Sequence, residues 1–177
     1  MIIPEITLVS FGYFEKNLLD QLGETVQREF RSSMTIKEGH IDLSEFYDPG
    51  RRQYNGNNLL KHVDALPLSG FSKTLGLFNV DIYIPILTYI FGQAYLGGRS
   101  GIASLYRLNN ECYGLKADES LLLERFKKEV IHELGHTFGL IHCKSQSCVM
   151  RSSTYVEDID QKDHSLCPEC RREIYGP

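Results

Sequence analysis

The stretch HELGHTFGLIHCKSQSC, residues 132–148, packs three histidines, one glutamate and two cysteines into one short segment. His132 and His136 lie four positions apart, so a helix would stack them on one face, roughly 6 Å apart along its axis. This separation suits two ligands of one zinc ion. A helix is predicted because apolar residues recur at steps of three and four and define a buried stripe away from the histidines: Leu123, Phe126, Val130, Leu134 and Phe138.

The residues next to this histidine pair predict a hydrolytic metal site. Gly139 can take the left-handed conformation that ends a helix, which would turn the chain back and bring His142 toward the same ion. Three neutral imidazoles leave a fourth zinc position for water, and the pKa of that water falls to about 7 in such sites. Glu133 would then act as the general base, able to pass the proton to a leaving amine.

Four of the five cysteines predict a second metal site. Cys143 directly follows His142, and adjacent side chains do not easily converge on one ion, so we expect Cys143 to face a different one. Cys148, together with Cys167 and Cys170 of the CPEC sequence, would complete a closed tetrahedral thiolate site with a structural role. The alternatives are two disulfides, which are disfavoured in the cytosol, and a redox CxxC, which lacks its usual βαβ setting here.

The sequence before these motifs predicts an α/β layer. Helices are predicted over residues 14–30 and 59–66, an exposed loop over residues 46–58, and strands in EITLVSFG, MTIKEGHIDL, LGLFNVDIYIP, LTYIFGQA and GIASLYRL. The order of strand, helix, strand, helix and further strands is typical of α/β proteins. A chain of 177 residues most simply forms one domain. We expect residues 1–117 to form its sheet part and residues 118–177 the part that carries the motifs.

Composition and charge argue against several classes of protein. With 19 basic residues, 23 acidic residues and a net charge of −4, the chain lacks the concentrated basic surface that nucleic-acid binding needs. The opening segment MIIPEITLVSFGYFEK has no basic leader and is interrupted by Pro4 and Glu5, so it is predicted to hold the first strand and not a signal peptide. The most apolar stretch, residues 82–96, is too short for a membrane span. We therefore expect a cytoplasmic monomer with reduced thiols, without nucleic-acid or membrane partners.

HELGHTFGLIH also matches the HExxHxxGxxH zinc signature and resembles the metzincin metalloproteases. Metzincins place a methionine in a tight turn under the zinc, and Met150, eight residues after His142, fits that role. The longer string HELGHTFGLIHCKSQSCVM, followed by CPEC, resembles the archaemetzincin family, also called archaelysins. This resemblance implies a compact single-domain α/β fold with a twisted mixed sheet, packed helices and a C-terminal segment clamped by zinc.

The same resemblance implies roles for individual residues. Glu133 would be the general base and acid, and the expected metal ligands are His132, His136 and His142 for a catalytic zinc, and Cys143, Cys148, Cys167 and Cys170 for a structural zinc. The prediction is a zinc metalloprotease that hydrolyses peptide bonds of a peptide or protein substrate through a zinc-bound water. The alternative is a non-catalytic zinc-binding or interaction domain that has kept a metzincin fold.

Some positions are not assigned by the family pattern. Certain metzincins have a tyrosine two residues beyond the turn methionine; this chain has Ser152 there, and its nearest tyrosine is Tyr155. The group that stabilises the oxyanion is therefore unassigned beyond zinc. Cys112 is expected to be a buried or free thiol, and His164 a surface residue or a replacement for one of the cysteines.

One of two strand segments that precede the predicted active-site helix is expected to border the substrate cleft. IFGQA and IASLYRL, residues 90–94 and 102–108, resemble the strand region before the metzincin active-site helix. Residues 101–108 are expected to form the edge strand that pairs with substrate, with an interior strand as the alternative. Whether an acidic residue captures a free amine, as in an aminopeptidase, stays open against an endopeptidase; the acidic residues near the relevant segments are Glu111, Asp118 and Glu119.

Overall fold

The computed structural model describes residues 3–177, so the first two residues of the predicted opening segment lie outside the described residues. The strands are β1 (Ile6–Phe11), β2 (Met34–Gly39), β3 (Tyr47–Asp48), β4 (Gln53–Asn55), β5 (Lys73–Phe78), β6 (Ile82–Tyr83), β7 (Gly92–Ala94) and β8 (Ser100–Ser104). The helices are α1 (Lys16–Phe30), α2 (Gly56–Asp64), α3 (Glu119–Thr137), α4 (Val156–Asp160) and α5 (Pro168–Tyr175). None of the helices within residues 3–177 is both long and apolar enough to cross a membrane.

The main sheet has five strands in the order β2-β1-β5-β8-β7. The first four are parallel, and β7 runs antiparallel to β8. This topology, with helices packed on the sheet, confirms the predicted α/β fold with a mixed sheet.

The predicted edge strand over residues 101–108 is wrong, and its interior alternative is correct. β8 pairs with β5 on one side and with β7 on the other. All five of its residues are buried, because α2 and α3 also cover its two faces. The remainder of the predicted strand, Tyr106–Leu108, is a short 3₁₀ helix. The edge of the sheet at this end is therefore β7.

Helices cover both faces of the main sheet. Leu8 of β1 belongs to the core formed with α1 and α3, whereas its neighbour Val9 belongs to the core formed with α2. Successive side chains of a strand point to opposite faces, so apolar residues along β1 contribute to both cores. The core beneath α1 and α3 continues into the C-terminal segment, where it includes Met150 and Ile174.

A second, smaller sheet forms in the order β3-β4-β6. It includes residues from the segment 46–58, which was predicted as a loop. β3 and β4 pair as a hairpin, and the Asp48 carboxylate accepts a hydrogen bond of 2.9 Å from the Gly50 N–H in the turn. Strands of two and three residues are too short to leave a period-two pattern in the sequence, so the turn residues dominate the signal.

The C-terminal helix α5 is attached to α1 through a buried carboxylate. Glu29 is only 4% exposed and accepts hydrogen bonds from the Leu166 N–H at 2.8 Å and from the Arg171 guanidinium at 2.8 and 3.1 Å. The Tyr175 hydroxyl donates to the Glu29 carbonyl at 3.0 Å. A buried carboxylate is stable only when its oxygens are paired, so these contacts fix the position of the segment that carries the last two cysteines.

Candidate metal centre and active site

Helix α3 carries the first three residues of the predicted site. It begins at Glu119, where the Asp118 carboxylate caps it by accepting a hydrogen bond of 3.0 Å from the Leu121 N–H. Phe126, Val130 and Leu134 of the predicted stripe are fully buried. His132 on another face is also buried, at 6% exposure, because the C-terminal segment covers that side of the helix.

The end of α3 brings the third histidine back toward the other two. Gly139 has a φ of +94°, and its N–H donates to the His136 carbonyl at 2.9 Å. Glycine takes this left-handed conformation without strain, and the chain reverses as expected. The ring centroid of His142 consequently lies 5.3 Å from that of His132 and 5.0 Å from that of His136. One ring nitrogen of each histidine lies within 4.8 Å of the others.

Backbone carbonyls orient the two helical histidines. The Nδ1 atom of His132 lies 2.8 Å from the Val149 carbonyl oxygen, and that of His136 lies 2.7 Å from the Leu140 carbonyl oxygen. Each Nδ1 therefore carries the proton and donates it, which leaves both Nε2 lone pairs free. These two Nε2 atoms are 3.1 Å apart.

The three-histidine geometry fits a zinc ion. In a tetrahedral site with Zn–N bonds of about 2.0 Å, two ligand nitrogens lie about 3.3 Å apart, close to the 3.1 Å between the two helical imidazoles. Burial lowers the pKa of His132, His136 and His142, most strongly at His132. Burial thus favours the neutral imidazole, which is the form that binds metal.

A cleft of about 420 Å³ opens over these histidines. It lies between α3, the edge strand β7 and the segment 152–154, and Glu133 lines it beside His132. The Glu133 side chain is buried, and its Oε2 atom has no hydrogen-bond partner within residues 3–177. Burial, together with the neighbouring Glu129 carboxyl, raises the pKa of Glu133 well above its usual value. A carboxyl group beside three converging imidazoles in one cleft is placed to accept a proton.

Met150 lies in a tight turn packed against the ligand-bearing part of α3. Its side chain is fully buried, and a Cβ atom added to Gly135 would come within 3.0 Å of the Met150 methyl carbon. The Cys143 N–H donates to the Met150 carbonyl at 2.9 Å, which links this turn to the chain just after His142. The position under the histidines is the one expected for a metzincin methionine turn.

The four cysteines predicted to form a second site come together near this turn. Their sulfur atoms all lie within 4.8 Å of one another. Cys143 and Cys167 are 3.8 Å apart, as are Cys148 and Cys170. A disulfide would bring a pair to about 2.05 Å, whereas sulfurs at the corners of a tetrahedral zinc site, with bonds of about 2.3 Å, lie about 3.8 Å apart. The arrangement fits a metal site and not two disulfides.

Other residues considered from the sequence lie away from the two clusters. Cys112 is an exposed free thiol that lies 3.0 Å from the Tyr106 carbonyl oxygen. His164 is partly exposed, 3.8 Å from a Glu124 carboxylate oxygen, and is not part of the cysteine cluster. Tyr155 is 63% exposed, and the serines and threonine of segment 152–154 line the cleft in its place.

Two charged residues that line the cleft are not among the residues predicted from the sequence. The acidic candidates for substrate binding lie on the exposed surface and do not line the cleft: Glu111, Asp118 and Glu119. Glu129 and Lys162 do line it, and both are buried. Glu129 could have been found from its position one helical turn before Glu133. Lys162 lies 29 residues after Glu133 in the sequence, and no local pattern points to it.

Comparison with known proteins places this geometry in one family. The model of peptidase family M54 matches residues 53–175. The archaemetzincin of Thermococcus kodakarensis is 38% identical over 176 residues, covering 96% of this chain and 94% of that protein. The chain belongs to peptidase family M54, the archaemetzincins. The predicted family is therefore confirmed, and with it the prediction of a metallopeptidase.

Solved archaemetzincin structures share the whole fold. The archaemetzincin of Methanopyrus kandleri superimposes with a TM-score of 0.83 at 32% identity, covering 97% of this chain and 95% of that one. A zinc-dependent peptidase from Methanocorpusculum labreanum gives a TM-score of 0.85 at 28% identity, covering 96% and 99%. The likeness extends over the main sheet, the histidine-bearing helix and the cysteine segment, so the predicted metzincin-like architecture is confirmed.

Proposed function

We propose that His132, His136 and His142 hold a catalytic zinc ion and that Glu133 is the general base of a peptidase. The observation that carries this proposal is the convergence of three imidazoles in one cleft with the carboxyl group of Glu133 beside them. Zinc in such a site acts as a Lewis acid that polarises a peptide carbonyl and makes water acidic near neutral pH.

Glu133 moves the proton in this reaction. Its carboxylate would accept a proton from the attacking water and then donate it to the nitrogen of the leaving amine. The same carboxyl acts in both steps because it lies inside the cleft and is shielded from bulk solvent. The high pKa that burial gives Glu133 in the absence of metal is opposed by a doubly positive ion nearby, which favours the carboxylate.

Strand β7 binds the peptide in an extended conformation. It ends the main sheet and pairs with β8 on one side only, while its residues Gly92–Ala94 line the cleft. A free strand edge offers backbone donors and acceptors to an extended chain. Apolar side chains border both ends of this edge, with Leu87 and Tyr89 before it and Leu96 and Ile141 after it. We expect peptides with apolar residues on either side of the cut to be preferred.

The four cysteines hold a second zinc with a structural role. All four sulfurs converge, and no ligand position is left for a substrate. The site joins the loop after His142 to the start of α5. Two zinc ions per chain, a monomeric state and a cytoplasmic location stay predictions of the proposal.

Peptide digestion under metal control tests the proposed activity. A diverse peptide mixture is incubated with the zinc-loaded protein, with the same protein after chelation, and with chelated protein restored with zinc, and the products are identified by mass spectrometry. We expect new fragments in the first and third samples only. Cuts at the amino end would identify an aminopeptidase, and internal cuts an endopeptidase. Identical, uncut mixtures in all three samples would contradict the proposal.

Gly92 is expected to be essential for activity because no side chain fits at this position. A Cβ atom there would lie 2.7 Å from the Glu133 Cγ atom, 2.7 Å from the Ile102 carbonyl oxygen and 2.9 Å from a Glu129 oxygen. The backbone oxygen cannot rotate away, so Gly92→Ala must displace β7 or Glu133. Misplacement by about 1 Å can cost about 10²-fold in rate, and we expect kcat/KM to fall by about that factor.

The matched control for this substitution is Gly70→Ala. Gly70 has no atom within 4 Å of an added Cβ and no positive φ, so the same chemical change there is expected to leave kcat/KM unaltered. Circular dichroism of both variants checks that each is folded. A Gly92→Ala enzyme as active as the control would show that β7 does not fix the geometry of Glu133.

Zinc in the three-histidine site is expected to leave in mild acid. Burial lowers the pKa of all three histidines below the ordinary value, so they stay neutral to more acidic pH than a free imidazole does. Zinc occupancy of this site should therefore be complete above about pH 6.5. It should fall at lower pH, with a midpoint near pH 5 to 6, because protons compete with zinc for the imidazoles.

Cobalt substitution measures this loss at each site separately. Only the thiolate site gives sulfur-to-metal charge-transfer absorption, so the remaining cobalt bands follow the three-histidine site during an acid titration. Metal still bound by the three histidines at about pH 4 would contradict proton competition.

A further inference from the structure

Glu129 is a buried acidic residue for which the proposed reaction has no use. It is 4% exposed, lies on α3 one helical turn before Glu133, and lines the same cleft. Positions i and i+4 of a helix are side-chain neighbours, so the two carboxyls face each other. A second carboxyl beside a general base opposes the ionisation of that base, and burying it is costly. Such a residue needs a compensating role.

The two carboxyls are in direct contact. They lie within hydrogen-bonding distance of each other. A Cβ atom added to Gly92 would lie 2.7 Å from the Glu133 Cγ atom and 2.9 Å from a Glu129 carboxyl oxygen, so both side chains approach this glycine. Glu133 also lines the cleft beside His132. The contact with Glu129 therefore fixes one side of the Glu133 carboxyl and leaves the other side for the cleft.

Lys162 completes this buried group. Its side chain is 2% exposed, and its ammonium donates a hydrogen bond of 2.8 Å to the Arg151 carbonyl just after the methionine turn. Lys162 lines the cleft together with the two glutamates, and its positive charge favours their ionised forms. The pocket therefore holds a carboxyl pair and a cation, and the cation offsets part of the charge.

We propose that Glu129 is a positioning residue: its protonated carboxyl donates a hydrogen bond to one oxygen of the Glu133 carboxylate, so that the other oxygen stays aimed into the cleft over the three histidines. Gly92 leaves the space in which this carboxyl pair fits. The inference rests on the proposed function, because it assumes that Glu133 acts as the base. What matters at position 129 in this arrangement is the reach of a hydrogen-bonding group and not its negative charge.

Two substitutions separate reach from charge. Glu129→Gln keeps the length and an N–H donor but cannot ionise, whereas Glu129→Asp keeps an ionisable carboxyl and withdraws it by one methylene. We expect Glu129→Asp to lower kcat about 10- to 10²-fold with little change in KM, because Glu133 is released from its productive orientation. Glu129→Gln should restore a large part of that loss. Glu124→Asp, the same shortening at a partly exposed position of α3, is the matched control.

Zinc content and melting temperature of each variant are measured beside the kinetics. They should match the wild type, because neither substitution removes a metal ligand or opens a large cavity. A Glu129→Asp enzyme with wild-type kcat would overturn the proposal, as would a Glu129→Gln enzyme impaired as severely as Glu129→Asp.

A binding measurement tests the same inference without turnover. A peptide hydroxamate chelates zinc and offers a hydroxyl to the general base, so its Kd reports the orientation of Glu133. We expect Glu129→Asp to weaken its binding about as much as Glu133→Gln does, and Glu129→Gln to weaken it less. If the wild type cleaves no peptide, the proposed function fails while this comparison still decides the role of Glu129. Equal Kd values for wild type and Glu129→Asp would exclude the positioning role.

Discussion

Glu133→Gln is expected to lower kcat for peptide cleavage by about 10²- to 10⁴-fold, the usual contribution of a general acid–base group. Glutamine has nearly the same shape as glutamate, so it fits the buried position between the cleft and Glu129. Its amide oxygen cannot take up a proton at neutral pH and return it to a leaving amine. The histidine ligands are unchanged, and we expect zinc content and KM to stay close to those of the wild type.

Parallel digests of one peptide mixture measure this effect. Zinc-loaded wild type and Glu133→Gln are compared by mass spectrometry, and single-peptide kinetics then give kcat and KM for the products found. Glu119→Gln, the same substitution at an exposed position in the first turn of α3, serves as control and should retain full activity. Equal cleavage by wild type and Glu133→Gln would remove Glu133 from the mechanism and leave the zinc site without an identified base.

The metal-binding clusters could be predicted because local geometry determines most of them. The histidine pair needs only one helical turn, and His142 needs only the reversal that Gly139 permits at the end of α3. His142 and Cys143 are adjacent in the chain, so their side chains were predicted to face two different metal sites. In the structure His142 belongs to the histidine cluster and Cys143 to the cysteine cluster. In each case the residues that must meet are near in sequence or belong to short, recognisable pairs.

The residues that form the walls of the cleft depend on the order of the strands in the sheet, and local sequence patterns do not reveal this order. Residues 90–94 and 102–108 both have the character of strands, and only the packing of α2 and α3 over β8 makes the second segment interior and leaves β7 at the edge. Lys162 enters the cleft only because α4 and the following loop pack beside α3. The sequence does not single out Glu129 as a residue of the cleft for a different reason. In FKKEV it follows two lysines, and a charged run in a helix usually faces solvent.

Cys167→Ser is expected to lower the free energy of unfolding by at least about 4 kcal/mol, in the range typical of a lost structural metal. For a chain of this size that corresponds to a fall in melting temperature of roughly 10 °C or more. Serine keeps the size of the side chain but is a poor zinc ligand, so the three remaining cysteines would lose their ion. The segment after His142 would then be held to the residues before α5 by weaker contacts such as the hydrogen bond of 3.0 Å from the Val149 N–H to the Ser165 carbonyl.

His142→Ala provides the comparison for this effect. It also removes a proposed zinc ligand, but His142 is exposed at the cleft and the other two histidines stay held by backbone carbonyls. We therefore expect a smaller fall in melting temperature for His142→Ala than for Cys167→Ser, although each variant should lose one of two zinc ions. Calorimetry and zinc analysis of the three proteins test both statements. Equal melting temperatures for wild type and Cys167→Ser would show that the cysteine cluster does not clamp the fold, because a site that holds two distant segments together must stabilise the folded chain.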